Sequence, residues 1–283
     1  MRLNNKTESV VKTIEQELYG KIIPFWNRML DTVHGGFYGY VGHDNVINHT
    51  ADKGAVKISR ILWSYSALFI FDGNPAHKPY ADAAFAYIRD VLMDKQDGGV
   101  YWKSSYDGVI TNDWKHLYAQ SFAIYGLSAY ARAFGNRDAL AMAMGIFDLV
   151  EEKAKTDAGS YTESFDRSWN PTENTFMSDG VVMPVHTTNT VIHLIEAFTE
   201  LFVASQNTRV KSALEDLITK YASDIFDGTR DVSHMYFDRQ WRPMSDMSSF
   251  GHDIETSWLI DRALLVTGSD LSGCQDMTSR LAR

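Results

Sequence analysis

Two histidines and an arginine stand where helical patterning calls for apolar side chains. His252, Glu255 and Trp258 follow one another at intervals of three, and Asn189 and His193 lie four apart. Each set therefore shares one helix face. Arg60 interrupts the apolar run from Ile58 to Trp63, and Tyr118 opens another such run. Polar groups on interior helices are costly to bury without partners, so these residues mark either a site or an internal network. Histidine titrates near neutrality and can take and return a proton, which suits acid–base chemistry. Structural uses compete with that reading. Arg60 can pair with Asp52, Asn189 can cap its helix, His193 can be a hydrogen-bonded core residue, and His252 with Glu255 can form an intrahelical pair.

A metal centre is the other chemistry these spacings suggest. His193-Leu-Ile-Glu196 and His252-Asp-Ile-Glu255 both set His and Glu three apart. Helix-bundle metal sites use that interval in the opposite order, with two further glutamates. Glu196 would also point about 60° away from the face of Asn189 and His193. No metal is assigned. The lone cysteine, Cys274, excludes an intrachain disulfide and a multi-thiolate site.

The elements that must carry these residues repeat. Gly35-Gly36-Phe37-Tyr38 recurs as Gly98-Gly99-Val100-Tyr101, and Gly159-Ser160-Tyr161 follows at a similar interval, with a fainter echo at His234-Met235-Tyr236-Phe237. Paired glycines before aromatics read as tight turns opening a hairpin or extended loop. Between the loops, some stretches have a one-sided apolar stripe, as in Val210, Leu214, Leu217 and Tyr221, or Tyr80, Ala84, Tyr87, Ile88 and Val91. Others, Ile58–Phe71, Leu117–Tyr130 and Val191–Val203, are apolar on most sides and belong inside. Inner and outer helices thus alternate, roughly eight or nine in all. The predicted class is all-α, an α/α toroid whose inner helices turn polar residues toward a central pocket, in a single domain over 1–283.

Composition narrows the partners. With 27 basic against 36 acidic residues, a net charge of −9 and no basic cluster, nucleic acid is excluded as a partner. An aromatic content of 13% suits a sugar, whose apolar faces stack on flat rings. No apolar run approaches the ~20 residues that span a bilayer. The polar start, Met1 to Thr7, carries no apolar signal region, so no membrane is expected and the cytoplasm is the default compartment.

These residues resemble the N-acylglucosamine 2-epimerase family, and within it the members that act on cellobiose. The resemblance lies in Ile22-Ile-Pro-Phe-Trp26, Gly35-Gly-Phe-Tyr-Gly39, Asp52-Lys-Gly54, Ser59-Arg-Ile-Leu-Trp63 and Gly98-Gly-Val-Tyr-Trp102. It continues through His193-Leu-Ile-Glu-Ala-Phe-Thr-Glu-Leu201 and Gly251-His-Asp-Ile-Glu255 with Trp258. It implies a closed barrel of six helix pairs, (α/α)6. It also implies interconversion of a reducing-end glucose unit with its C2 epimer mannose, without cofactor or metal. By the same resemblance, His252 is one of two histidines that exchange the C2 proton, and His193 supports ring opening or proton handling. Arg60 steadies the enediolate, while Tyr118, Asn189, Glu255 and Trp258 line the sugar pocket.

The chemistry asks for such residues. Once the ring opens to an aldehyde, loss of the C2 proton spreads negative charge onto O1, where a guanidinium stabilises it. The second proton-exchanging histidine of the family lies beyond Arg283. Six units of about 62 residues need about 370, so the reading expects about two pairs to be missing and little activity from the chain alone. A complete barrel would be a monomer, whereas an open edge would favour self-association. Three other readings compete: an aldose–ketose isomerase on mannose-type sugars, a glycoside hydrolase using Asp253, Glu255 or Glu163, and an inactive sugar-binding barrel.

Overall fold

The computed structural model describes residues 5–156, 159–175 and 182–283, so the first four residues of the polar stretch Met1–Thr7 lie outside the described residues. Ten α-helices form among the described residues. They are α1 (Asn5–Glu17), α2 (Ile23–Asn27), α3 (Ala55–Asp72), α4 (Lys78–Tyr87), α5 (Leu117–Phe134), α6 (Arg137–Leu149), α7 (Thr188–Ser205), α8 (Thr208–Lys220), α9 (Phe250–Thr267) and α10 (Cys274–Leu281).

The stretches that are apolar all round supply inner helices, and α9 joins them. Helices α3, α5, α7 and α9 each run 18 residues. They stand in a row, α3 on α5, α5 on α7 and α7 on α9, with α4, α6, α8 and α10 packed outside their respective partners. Position in the row decides burial. Helices α5 and α7, flanked on both sides, bury fourteen residues each, whereas α3 and α9 bury seven and eight. Phe71 on α3 and Phe250 and Leu265 on α9 stay exposed. The predicted stripe of α8 behaves as amphipathicity requires: Val210, Leu214, Leu217 and Tyr221 are all buried. One hydrophobic core reaches from Met29 to Leu281.

The repeat is written into the backbone. Helices α4, α6 and α8 each continue into a π-helical turn, at Ile88–Leu92, Val150–Ala154 and Tyr221–Ile225. The glycine loops follow. Gly36 and Gly99 have φ of 66° and 70°, and a Cβ on either would lie 2.8 Å from a ring carbon of Tyr87 or Trp169, which explains why glycine recurs there. Short antiparallel ladders then tie the entrance of one inner helix to the loop of the next pair. Lys53–Gly54 pairs with Lys103–Ser104, Lys115–His116 with Ser164–Phe165, and His186–Thr187 with Tyr236–Phe237. These ladders gather the N-terminal ends of α3, α5 and α7 at one end of the row.

Buried charge reinforces two of these joints. Lys53 Nζ lies 2.7 Å from Asp31 Oδ2, and Lys115 Nζ lies 2.9 Å from Asp94 Oδ2, with no exposed surface on any of the four side chains. In the third unit His186 takes the place of the lysine and bonds the Tyr161 carbonyl oxygen at 3.0 Å. Helices α3 and α5 approach most closely at Gly126, where a Cβ would sit 2.5 Å from the Ser59 carbonyl oxygen. That contact fixes α3 one residue before Arg60.

Candidate active site

Arg60, Phe122, His193 and Glu255 are each the sixth residue of their inner helix. Side-by-side helices that start at one level must bring equal positions together, so this shared register builds the site. Tyr118 and Asn189 lie one turn nearer the helix starts, and His252 does the same on α9. All fall within about two turns of the N-terminal ends.

His193 is the best-anchored member. Its ring meets Tyr118 edge-on, 5.1 Å between centres at 86°, and lies 4.7 Å from the Phe122 ring. Its Nδ1 is 2.9 Å from Glu196 Oε2, and both side chains are buried. The far face of Phe122 carries Arg60, with the guanidinium carbon 4.9 Å from the ring centre. The Tyr118 hydroxyl is pushed up by burial, an effect that Arg60 opposes and that Glu255 and Glu196 strengthen, and it lies within hydrogen-bonding reach of Asn189. Arg60, Tyr118, Asn189, His193 and Glu255 therefore sense one another across three helix boundaries.

His252 is joined to the cluster electrostatically. Burial lowers its pKa, Glu255 and Asp253 oppose that, and His193 adds to it. Its Nδ1 is buried and, among the described residues, has no hydrogen-bond partner, while the residue as a whole is half-buried. Nδ1 is thus closed off, which leaves Nε2 as the nitrogen available for proton transfer. A neutral imidazole with one open nitrogen is equipped to accept a proton.

Several structural alternatives are now resolved. Asp52 pairs with Lys103 at 2.8 Å, so it does not neutralise Arg60, which is exposed. The cap of α7 is Thr187, whose side chain accepts from the Thr190 N–H, so Asn189 is free of that duty. The intrahelical His–Glu bond exists on α7, between His193 and Glu196, and not between His252 and Glu255. Trp258 stands apart: it is 48% exposed and, among the described residues, makes no ring contact. Among the described residues no three His, Cys, Asp or Glu side chains are grouped to hold a metal ion.

Glu163 is also placed. It is wholly buried beneath the start of α7 and accepts from the Thr187 and Thr190 hydroxyls and the Asn174 amide. Burial pushes it up to about 7 despite those donors. It ties down the start of α7 and lines a cavity of about 1010 Å³ with Asn174 and His186, while Asp253, buried and accepting from the Ser233 N–H, is a second structural tie. Sequence reasoning missed Phe122, which links Arg60 to His193, and Glu196, which it weighed only as a metal ligand. Aligning the starts of the inner helices would have found Phe122.

A groove of about 970 Å³ opens along the outer flank of α3, lined by Trp26, Lys57, Trp63, Trp102 and Arg60. Trp63 stacks on Tyr125 at 4.9 Å, so one wall of the groove backs onto the cluster. Arg60 lines this groove and also lies over Phe122. Among the described residues no helix is long and apolar enough to cross a membrane.

Comparison with known proteins identifies the family of the chain. The family described as N-acylglucosamine 2-epimerase (GlcNAc 2-epimerase) matches residues 36–270. The cellobiose 2-epimerase of Dictyoglomus turgidum (strain DSM 6724 / Z-1310) is 39% identical over 251 residues, which are 89% of this chain and 64% of that protein. The cellobiose 2-epimerase of Ruminococcus albus (strain ATCC 27210) is 37% identical over 261 residues, 92% of this chain and 67% of its own. The solved cellobiose 2-epimerase of Bacillus thermoamylovorans B4167 superposes with a TM-score of 0.94 at 33% identity, covering 97% of this chain and 71% of that one. The chain thus spans about two thirds of the length of the relatives it matches. The architecture is accordingly the predicted α/α barrel type, and the chain belongs to the N-acylglucosamine 2-epimerase family.

Proposed function

We propose that this chain carries the catalytic face of a carbohydrate 2-epimerase, an isomerase that interconverts the reducing-end glucose of cellobiose or a related β-1,4-disaccharide with mannose. The observation that carries the reading is the meeting of a neutral, half-buried His252 with Arg60, Tyr118 and His193 at one end of the inner helices. The names of the relatives in Dictyoglomus and Ruminococcus supply the sugar.

The chemistry runs as proton exchange. The reducing-end ring opens, and His193, with Tyr118 and Asn189 beside it, handles the proton traffic that opening requires. His252 Nε2 removes the C2 proton of the aldehyde as a general base. Charge develops on O1, and the Arg60 guanidinium, held over Phe122, stabilises it there. Epimerisation then needs a proton on the opposite face of C2, from a second base or after the intermediate turns over. Glu255 takes a sugar hydroxyl, and Trp258 offers an apolar face for a sugar ring.

An isomerase shares the enediolate but returns the proton to C1. Proton NMR of cellobiose, glucose and mannose incubations separates the two, since epimerisation yields a mannose-type reducing end and isomerisation a ketose. Ketose as the sole product would overturn the epimerase reading. A hydrolase would instead release glucose from cellobiose, and Asp253, buried and bonded to the Ser233 N–H, is not open to pair with Glu255 as a second acid.

A further inference from the structure

Glu196 is the buried carboxylate of the site that the proposed reaction does not use. It is 7% exposed, and among the described residues its one ion-pair contact is with His193, at 2.9 Å from Nδ1. One turn further along α7, Glu200 is equally buried but is paired with both Arg132 and Arg262. The two glutamates therefore differ in their duties. Two arginines neutralise Glu200, and an imidazole faces Glu196.

Resting on the epimerase reading, we infer that Glu196 is a positioning residue that fixes the tautomer and tilt of His193. A carboxylate only accepts hydrogen bonds, so Nδ1 of the neutral ring must carry the hydrogen that Glu196 receives. Nε2, across the ring from the nitrogen that Glu196 holds, then keeps the lone pair. The rest of the ring is clamped by Tyr118 and Phe122. Glu196 is itself held from the other side by the Tyr125 hydroxyl, within hydrogen-bonding reach, and Tyr125 is stacked on Trp63 at 12° between planes. The chain Trp63–Tyr125–Glu196–His193 leads from the groove on α3 to the imidazole. A carboxylate behind an acid–base histidine orients the ring and sets which nitrogen is free to react. The spacing of three serves that purpose, since the neighbouring face position lets Glu196 reach Nδ1 and leaves Nε2 unused by that contact.

The test reads the tautomer directly. The chain is labelled with ¹⁵N-histidine, the His193 ring is assigned by its loss in His193→Gln, and two-bond ¹H–¹⁵N correlations are recorded at pH 8. The expected pattern has hydrogen on Nδ1 and a bare Nε2. Glu196→Gln removes the carboxylate charge that favours hydrogen on Nδ1 and can present either amide group, so the preference should weaken and hydrogen should appear on Nε2. Glu196→Asp should restore part of the original pattern. If Glu196→Gln fails to fold, the wild-type spectrum alone decides, because hydrogen on Nε2 there overturns the inference. An unchanged tautomer in a folded Glu196→Gln protein overturns it as well. In parallel, Glu196→Gln should lower kcat for C2 exchange by about 10²-fold with KM nearly unchanged, as expected for a misoriented acid–base group. The expected tautomers without C2 exchange in the wild-type chain would leave the positioning role standing and remove the epimerase reading.

Discussion

The Tyr118 ring stands perpendicular to the His193 imidazole, 86° between planes and 5.1 Å between centres. Edge-to-face contact of this kind is worth about 0.5–1.5 kcal/mol beyond burial. It holds the imidazole without spending the tyrosine hydroxyl, which remains free for Asn189 and a sugar oxygen. Tyr118→Phe should therefore keep the melting temperature within a few degrees and lower kcat/KM about tenfold, the worth of one hydrogen bond. A loss of several kcal/mol of stability in the Phe variant, measured by urea unfolding, would show the hydroxyl to be structural instead.

The acid limb of the rate should lie low. Burial depresses the His252 pKa, partly offset by Glu255 and Asp253 and reinforced by His193. The neutral ring is the base, so activity is lost as pH falls through that value. Since the ordinary histidine value is about 6.5, kcat/KM should hold from pH 8 down to about 6.5 and fall only below it. An acid limb centred above pH 7 would mean that His252 is not the titrating base.

Asp94 is a structural anchor whose removal should be costly. Burial alone would raise its carboxyl. Arg167, Lys115 and the N–H groups of Gln96 and Asp97 outweigh that and hold it well below the carboxylate range. The sign follows: Asp94 stabilises the fold above its unfolded pKa of about 3.9, and the contribution is lost as pH falls toward the folded value. Asp94→Ala leaves Lys115 charged and buried, so unfolding free energy should drop by about 3–5 kcal/mol at pH 7. A drop under 1 kcal/mol in urea titration would mean that water reaches Lys115 once Asp94 is gone.

Two glycines make a matched pair. Gly126→Ala forces a methyl into the Ser59 carbonyl and pushes α3 away from α5, at a cost of about 1–3 kcal/mol. Arg60 follows Ser59, so kcat should fall too. Gly145, inside α6 with nothing within 4 Å of a built Cβ, should gain about 0.4–1 kcal/mol on replacement by Ala and leave kcat unchanged. Equal melting temperatures for the two variants would refute the close-approach argument.

How much of this was legible in the sequence depends on the kind of signal. Apolar periodicity gave the inner helices directly, because a stretch without a polar face has nowhere to go but inside. Paired glycines marked the loops, since their positive φ and the rings pressed against them exclude a side chain. The polar residues on those helices gave Arg60, Tyr118, Asn189, His193, His252 and Glu255, which do come together. The partnerships were not legible. Spacing three is common to His193–Glu196 and His252–Glu255, yet only the first closes a hydrogen bond, a difference set by packing from α5. Phe122 was hidden because an apolar residue in an apolar helix carries no sign of a second role. Trp258 shares a helix face with Glu255 yet lies half-exposed, since among the described residues α9 has an inner-helix neighbour, α7, on one flank only.

The central claim is that His252 exchanges the C2 proton of a reducing-end glucose. Cellobiose incubated with the protein in heavy water, followed by NMR at C2 of the reducing unit, tests it most directly. The account predicts deuterium at C2, the step that His252 performs alone; a mannose-type reducing end additionally needs a proton delivered to the opposite face. It also predicts that His252→Ala lowers the exchange rate by about 10²–10⁴-fold while circular dichroism remains that of the helical fold. No deuterium at C2 with the wild-type protein, or exchange at the wild-type rate in His252→Ala, would contradict it.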